Sequence, residues 1–235
     1  MKAELEELLH RPDLWRGANY ASPARPALAT CFAELDAVLP GGGWPQGALT
    51  EILCGGTGIG ELRLVLPALA RLTQAGRQVL WVEPPLLPYA PALAAAGVKL
   101  PHLWLVRTER PTEALWAAEQ GLRSGGCGAV LLWPNQLIFR DLRRLQLAAE
   151  QSGHWAVTYR PAEASRSPSP APLRLSVEAA KARLLIRILK RRGGTVSGPV
   201  LLDVGGPGRR DHPSDEAAVG PRPLAGPLRH SPCLT

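Results

Sequence analysis

Cysteine and histidine are scarce in this sequence, with four Cys and five His in 235 residues. They show neither a C-x-x-C pair nor a Cys–His spacing typical of zinc, so the sequence predicts no metal site and no disulfide framework. No apolar run approaches the roughly 20 residues that a membrane helix needs. Acidic residues also interrupt the apolar residues near the N-terminus, unlike a secretory signal. These absences predict a cytoplasmic protein without a metal and without membrane association.

Positive charge is concentrated in one part of the chain. The net charge is +7, and residues 160–192 contain nine basic and two acidic residues, so this segment accounts for the whole excess. Five of its basic residues are candidates for contact with DNA or a partner: Arg183, Arg187, Lys190, Arg191 and Arg192. Arg183 and Arg187 point the same way on an alternating strand, as does Arg191 if the strand continues. The segment is predicted either to attract phosphates or an acidic protein, or to be a solvated strand edge. No aromatic residue lies among these five, which disfavours base stacking.

Short apolar runs alternate with amphipathic stretches through the middle of the chain. Uniformly apolar strands separated by amphipathic helices are typical of a parallel sheet covered on both faces. We predict strands at 49–54, 78–83, 103–107, 129–133 and 154–159, and helices at 61–76, 112–124 and 138–153. Beyond residue 172, apolar residues alternate at period two, which predicts an antiparallel extension with one wet face.

These patterns divide the chain into five segments. We predict an N-terminal arm at 1–29, an α/β core at 30–160, a flexible Pro/Ser-rich loop at 161–172, C-terminal strands completing the sheet at 173–204, and a disordered tail at 205–235. The tail has almost no periodic apolar pattern, so burial cannot compensate for the entropy lost on ordering it.

A glycine-rich loop follows the predicted strand at 49–54. Gly55 and Gly60 fit the two glycine positions of a phosphate-binding loop, G-x-x-x-x-G-K-[ST], between a strand and a helix, and Gly58 lies between them. The lysine is replaced by Glu61, and the hydroxyl residue that would bind magnesium is replaced by Leu62. An anion beside a triphosphate repels it. We therefore expect no bound nucleotide cofactor and interpret the glycines as a tight turn.

The remaining sequence offers no catalytic constellation. The predicted strand at 129–133 is followed by Pro134 and ends in Trp133, where a phosphate-loop ATPase would place a magnesium-binding Asp. Glu83, after the second of these strands, could polarise water only if a nucleotide were bound. Ser152 and His154 have no third partner for a triad. The chain is predicted not to be an enzyme.

Tryptophan is abundant, with seven residues. Trp81, Trp104 and Trp133 lie in predicted strands and are predicted to pack in the core. Trp116 is predicted to line the sheet from a helix. Trp44 and Trp155 adjoin turns, where the pattern does not decide their environment.

Several motifs resemble the RecA superfamily. The segment "TCFAELDAVLPGGGWPQGALTEI" resembles the lead-in to the phosphate loop of RecA, and "VEPPLLPYAPALAAAGV" resembles the region after its second strand, where Glu83 takes the position of a catalytic glutamate. The motifs "LWRG", "LPGGGWPQGALTE", "GTGIGELRLVLPALARL", "LLWP" and "KRRGG" followed by "PVLLDV" resemble the ImuA family. The degenerate loop followed by "LRLVLPALARL" is also similar to SulA.

The resemblance to ImuA implies a RecA-like fold and a non-catalytic accessory role in SOS-induced translesion DNA synthesis. The implied partners are an ImuB-like inactive Y-family polymerase, an error-prone C-family DNA polymerase and RecA, with DNA contact through the basic segment. Leu8, Trp15 and Arg16 of the arm are candidates for partner contact, although Trp15 could equally pack on its own core. The resemblance to SulA implies an alternative function, inhibition of the cell-division GTPase.

Overall fold

The computed structural model describes residues 26–134, 136–192 and 198–205. The described strands are β1 Ala27–Leu28, β2 Trp44–Pro45, β3 Ala48–Cys54, β4 Gln78–Val82, β5 Leu103–Val106, β6 Cys127–Leu132, β7 Trp155–Pro161, β8 Leu173–Ala180, β9 Arg183–Lys190 and β10 Val200–Leu202. The helices are α1 Ala33–Asp36, α2 Glu61–Gln74, α3 Ala90–Ala95, α4 Pro111–Arg123 and α5 Phe139–Ser152, with 3₁₀ turns at Leu100–His102 and Ala162–Arg166. None of these helices has the length and apolarity needed to cross a membrane.

Eight strands form one twisted sheet in the order β10-β9-β8-β3-β7-β6-β4-β5. The six strands from β8 to β5 are parallel, and β9 and β10 add antiparallel pairs at the end. This confirms the predicted α/β class with a mostly parallel sheet and antiparallel terminal strands. The first C-terminal strand, β8, differs in detail because it pairs parallel with β3 and antiparallel with β9.

Helices cover both faces of the sheet and enclose two apolar clusters. One cluster packs α1 and α2 against one face, and the helical spacing of Leu64, Ala68 and Leu72 aims α2 at that face. The other packs α4 and α5 against the opposite face, with Leu115 and Leu122 among its members. We call the second surface the α4/α5 face. The helices predicted from periodicity are confirmed to within one or two residues.

The tryptophans divide between the core and the surface. Trp44 and Trp155 are fully buried, and their rings stack with centroids 5.1 Å apart. Trp155 Nε1 also donates a hydrogen bond to Thr50 Oγ1 of β3 at 3.0 Å. Trp81 is buried as predicted. The predictions for Trp104 and Trp116 are wrong, since these side chains are 55% and 60% exposed. Trp104 lies on the edge strand β5, and Trp116 lies on the side of α4 away from Leu115.

A buried ionic cluster joins β3 to its two neighbours. Glu51 of β3 is fully buried, and Arg160 of β7 donates to its Oε1 at 2.6 Å. Arg174 of β8 places Nε 2.7 Å from Oε2, without the alignment of a hydrogen bond. Arg160 also donates to the Leu137 carbonyl, and Arg174 donates to the Ala164 carbonyl. One carboxylate therefore ties three strands to the loops that flank them.

The Pro/Ser-rich segment at 161–172 contains local structure that its composition did not predict. Residues Ala162–Arg166 form the 3₁₀ turn that Arg174 contacts, and Ala171 is fully buried in the cluster on the α4/α5 face. This segment therefore lies over β3 and β8 on that face. Its flexibility stays a prediction, as do the other predicted segment boundaries.

Candidate functional site

The carboxyl ends of four parallel strands meet at one edge of the sheet. Strands β3, β4, β5 and β6 end at Cys54, Val82, Val106 and Leu132. In open α/β sheets, ligands bind in the crevice outside these carboxyl ends. The loops that leave this edge carry the glycine loop, Glu83 and Trp133, so the folded chain brings these sequence-selected features to one side of the molecule.

The glycine loop is closed by the first side chain of the following helix. Gly58 and Gly60 have φ values of 80° and 100°, which side chains rarely adopt, so these positions require glycine. Glu61 begins α2 and is 6% exposed, and its Oε1 accepts the Gly58 amide at 3.1 Å. The amino end of a helix favours a negative charge. Here the protein's own carboxylate provides that charge, and a phosphate in the same loop would meet its repulsion.

Two buried groups beneath the loop are held in their neutral forms. Burial, and then the Glu61 carboxylate, raises the pKa of the Cys54 thiol to about 12. Burial, with smaller contributions from Cys54 and Glu61, raises the pKa of Tyr159 well above its usual value. At neutral pH neither group supplies an anionic nucleophile. Neither side chain is therefore an activated thiolate or phenolate at neutral pH.

Aromatic packing occupies the end of β6. Trp133 stacks on Tyr159 with centroids 4.7 Å apart and planes inclined by 6°, and it contacts Trp81 at a centroid distance of 5.5 Å. Indole supplies a donor N–H and no carboxylate oxygen for a magnesium ion. The residue at this strand end therefore serves packing.

A pocket of about 210 Å³ opens beside Trp133, between the ends of β4, β5 and β6. Glu83 lines it with a left-handed φ of 54°, and its Oε1 accepts the Thr108 amide. This hydrogen bond commits one oxygen of the carboxylate to holding the β5–α4 loop. Arg107 also lines the pocket, which gives it charges of both signs.

Large apolar side chains are exposed in two of the loops that leave this edge of the sheet, the loop after β4 and the loop after β6. Leu86, Leu87 and Tyr89 in the loop after β4 are 70%, 80% and 72% exposed, and Ile138 and Phe139 at the start of α5 are also exposed. We call these five residues the apolar rim. Pro85 and Leu137, their neighbours in sequence, line the pocket itself. The two loops follow neighbouring strands of the sheet, and large exposed apolar side chains of this kind are typical of interaction surfaces.

The basic residues selected from the sequence lie far from this pocket, at the other end of the sheet. Arg183 and Arg187 are exposed on β9, and Arg192 is exposed beyond it. Lys190 donates to the Ser169 carbonyl at 2.8 Å. Arg191 was expected on the same side of the strand as Arg183 and Arg187 if β9 continued through it, but β9 ends at Lys190. A bulge in the β8–β9 pairing and the end of β9 at Lys190 turn Arg191 toward the Val38 carbonyl, on the opposite face. Leu8, Trp15 and Arg16 lie outside the described residues.

The apolar rim was missed from the sequence. Its first part lies in "PPLLPYA", where apolar residues stand among prolines without helical or strand period. That combination is the signal that could have revealed it, because a non-periodic apolar loop has no face to bury.

Comparison with known proteins identifies the family. The family profile described as cell division inhibitor SulA matches residues 47–156, a range that includes the glycine loop, Glu83, the pocket and the apolar rim. The cell division inhibitor SulA of Edwardsiella piscicida is 31% identical over 143 residues, which cover 60% of this chain and 85% of that protein. The SulA proteins of Yersinia pestis (strain Pestoides F) and Yersinia pseudotuberculosis (strain IP 31758) are each 29% identical over 99 residues, which cover 42% of this chain and 59% of those proteins. The chain therefore belongs to the SulA family.

Proposed function

We propose that this protein inhibits cell division without catalysis, by binding the cell-division GTPase through the apolar rim. The observation that carries the proposal is the exposure of five large apolar side chains at the carboxyl edge of the sheet, inside the segment that matches the SulA family. Burying one leucine in an interface contributes about 1.5–3 kcal/mol, so a few such side chains suffice for specific binding.

The geometry of the glycine loop supports a role without ATP turnover. Glu61 occupies the helix terminus that would attract phosphate, and Leu62 offers no hydroxyl for a metal. The Glu83 carboxylate accepts the Thr108 amide and so holds the loop between β5 and α4 in place. What the edge presents outward is apolar surface and a pocket of about 210 Å³, which suits an inserted side chain of a protein partner.

Overproduction in undamaged cells tests this function. We expect the wild-type chain to produce filamentous cells and, when purified, to lower the amount of GTPase polymer recovered by sedimentation. Leu87→Asp should weaken both effects by at least tenfold, because it replaces an 80% exposed rim leucine by a charge that must be desolvated on binding.

Leu147→Asp provides the matched control. Leu147 is 37% exposed on α5 and lies outside the apolar rim, so this variant should behave as the wild type. Thermal unfolding of both variants establishes that they are folded. The proposal is wrong if wild-type protein leaves cell length and GTPase polymer unchanged, or if the two variants lose activity equally while folded.

A second candidate function is the accessory role in translesion synthesis that the resemblance to the ImuA family implies. The observation that favours it is the ordered sheet beyond the matched segment. Strands β8, β9 and β10 lie after residue 156, where the family match ends. They extend a core that we infer to be RecA-like, because its glycine loop lies between β3 and α2. A surface present outside the family match suits a partner other than the GTPase.

Deletion of the gene distinguishes the two functions. The accessory role predicts fewer mutations after ultraviolet damage in the deletion strain and recovery of the mutagenic polymerases with a tagged chain, without filamentation on overproduction. The division role predicts unchanged mutation frequency and loss of damage-induced filamentation.

A further inference from the structure

The α4/α5 face changes character at the C-terminal strands. Along β9 the residues directed to this face are Arg183, Leu185 and Arg187, and Leu189 is the extra residue of the bulge that follows them. Leu201 of β10 pairs with Leu185. We call these five residues the Leu/Arg face. Leu189 and Leu201 are 39% and 45% exposed, whereas Leu184, Ile186 and Ile188 on the opposite side of β9 are buried. This part of the sheet therefore has one side packed and one side open.

On the other strands of the sheet, the α4/α5 face is covered by helices and by the segment at 162–171. Helices α4 and α5 pack over β3, β4, β6 and β7, and the segment at 162–171 follows over β3 and β8. The Leu/Arg face continues this layer. From Arg183 to Leu189 it extends about 20 Å, the length of a helix of about 14 residues.

The charge of the face specifies the chemistry of what covers it. Arg183 and Arg187 carry two positive charges, and Lys190 lies directly beyond Leu189. The single acidic neighbour across the β8–β9 pair is Glu178, whose Oε1 is 3.7 Å from Arg187 Nε, and both side chains are about half exposed. Such a distance between exposed groups contributes little. As far as the described residues are concerned, the arginines therefore remain available to carboxylates of another molecule.

We propose that the Leu/Arg face binds an acidic amphipathic helix of a protein partner, whose leucines contact Leu185, Leu189 and Leu201 and whose carboxylates pair with Arg183 and Arg187. The alternation of apolar and basic side chains favours this occupant over DNA, because a phosphate backbone gains nothing from leucine. This surface is separate from the apolar rim and lies after residue 156, so it does not rest on the proposed inhibition of division.

Peptide binding to the full-length chain tests the inference. The first probe is a fluorescent 18-residue helical peptide that places leucines on one face at i, i+3 and i+4 spacing and glutamates beside them. The second replaces the glutamates by lysines, and the others are a single-stranded and a double-stranded oligonucleotide of about 20 nucleotides per strand. We expect the wild type to bind the acidic peptide, and Arg183→Glu/Arg187→Glu to bind it at least tenfold more weakly. The same double variant should gain affinity for the lysine peptide, a reversal that a merely unfolded variant would not show.

The control is Arg71→Glu/Arg143→Glu, which makes the same charge change at two exposed arginines of α2 and α5 and should leave acidic-peptide affinity unchanged. The proposal is overturned if the wild type does not bind the acidic peptide, or if both double variants weaken it equally. It is also overturned if the oligonucleotides alone bind and lose affinity in Arg183→Glu/Arg187→Glu, which would identify DNA as the ligand.

Discussion

Replacement of Glu51 by glutamine tests the ionic cluster beneath β8. Glu51 is fully buried, and the side chains of Arg160 and Arg174 are 10% and 9% exposed. Glutamine keeps the shape of the side chain, so Glu51→Gln creates no cavity. It leaves two buried guanidinium groups without a counter-charge, and solvent reaches neither well enough to screen them.

The expected magnitude follows from the burial of all three groups. Removing one partner from a buried ion pair costs about 3–5 kcal/mol. Domains unfold with about 5–15 kcal/mol in total, so Glu51→Gln should remove a large part of the stability. For a domain of this size, about 2–4 °C per kcal/mol corresponds to a fall in Tm of about 6–20 °C.

Urea unfolding followed by circular dichroism measures this loss. Glu178→Gln is the control, because its pair with Arg187 is half exposed and should contribute about 0–1 kcal/mol. The triple variant Glu51→Leu/Arg160→Met/Arg174→Met should be more stable than Glu51→Gln, since it removes the uncompensated charges together. A Glu51→Gln protein within 1 kcal/mol of the wild type would refute the reasoning, as would a triple variant less stable than the single one.

Two further predictions concern buried side chains. Trp44→Ala should lower the free energy of unfolding by about 3–5 kcal/mol, because Trp44 is fully buried against Trp155, and chemical denaturation with Trp116→Ala, an exposed site, as control measures it. Cys54 should resist iodoacetamide at pH 8 while exposed Cys31 reacts, as peptide mapping by mass spectrometry would show. Burial raises the pKa of Cys54 in the folded protein to about 12, so the stability that this thiol contributes is present below the ordinary thiol pKa of 9.0 and is lost as pH rises between these values. Rapid labelling of Cys54 in the folded protein would contradict this.

Periodicity predicted the helices and strands because burial of one face leaves a repeating trace in the sequence. Leu64, Ala68 and Leu72 of α2 are three such residues. The order of strands in the sheet leaves no such trace, so Trp104 was predicted to be buried although its strand lies at the edge. The bulge that turns Arg191 to the opposite face is likewise a property of pairing with β8 rather than of β9 alone.

The candidate site shows the same limit. The spacing of Gly55 and Gly60 located the glycine loop, and Glu61 was found directly after it, because both are local sequence features. The hydrogen bond from the Gly58 amide to Glu61 is also local, since it spans three residues. That Trp133 stacks on Tyr159 depends instead on the pairing of β6 with β7, which no local pattern encodes.

The carboxyl edge combines polar groups that bind the protein's own backbone with apolar side chains that face solvent. Here Glu61 and Glu83 each accept a backbone amide, the Cys54 thiol is buried and neutral, and Trp133 packs on Tyr159. Leucines and aromatic residues of the loops are instead directed outward. An edge whose polar groups serve its own loops while its apolar groups face solvent is suited to bind a protein surface, and the Leu87→Asp variant acts on that difference directly.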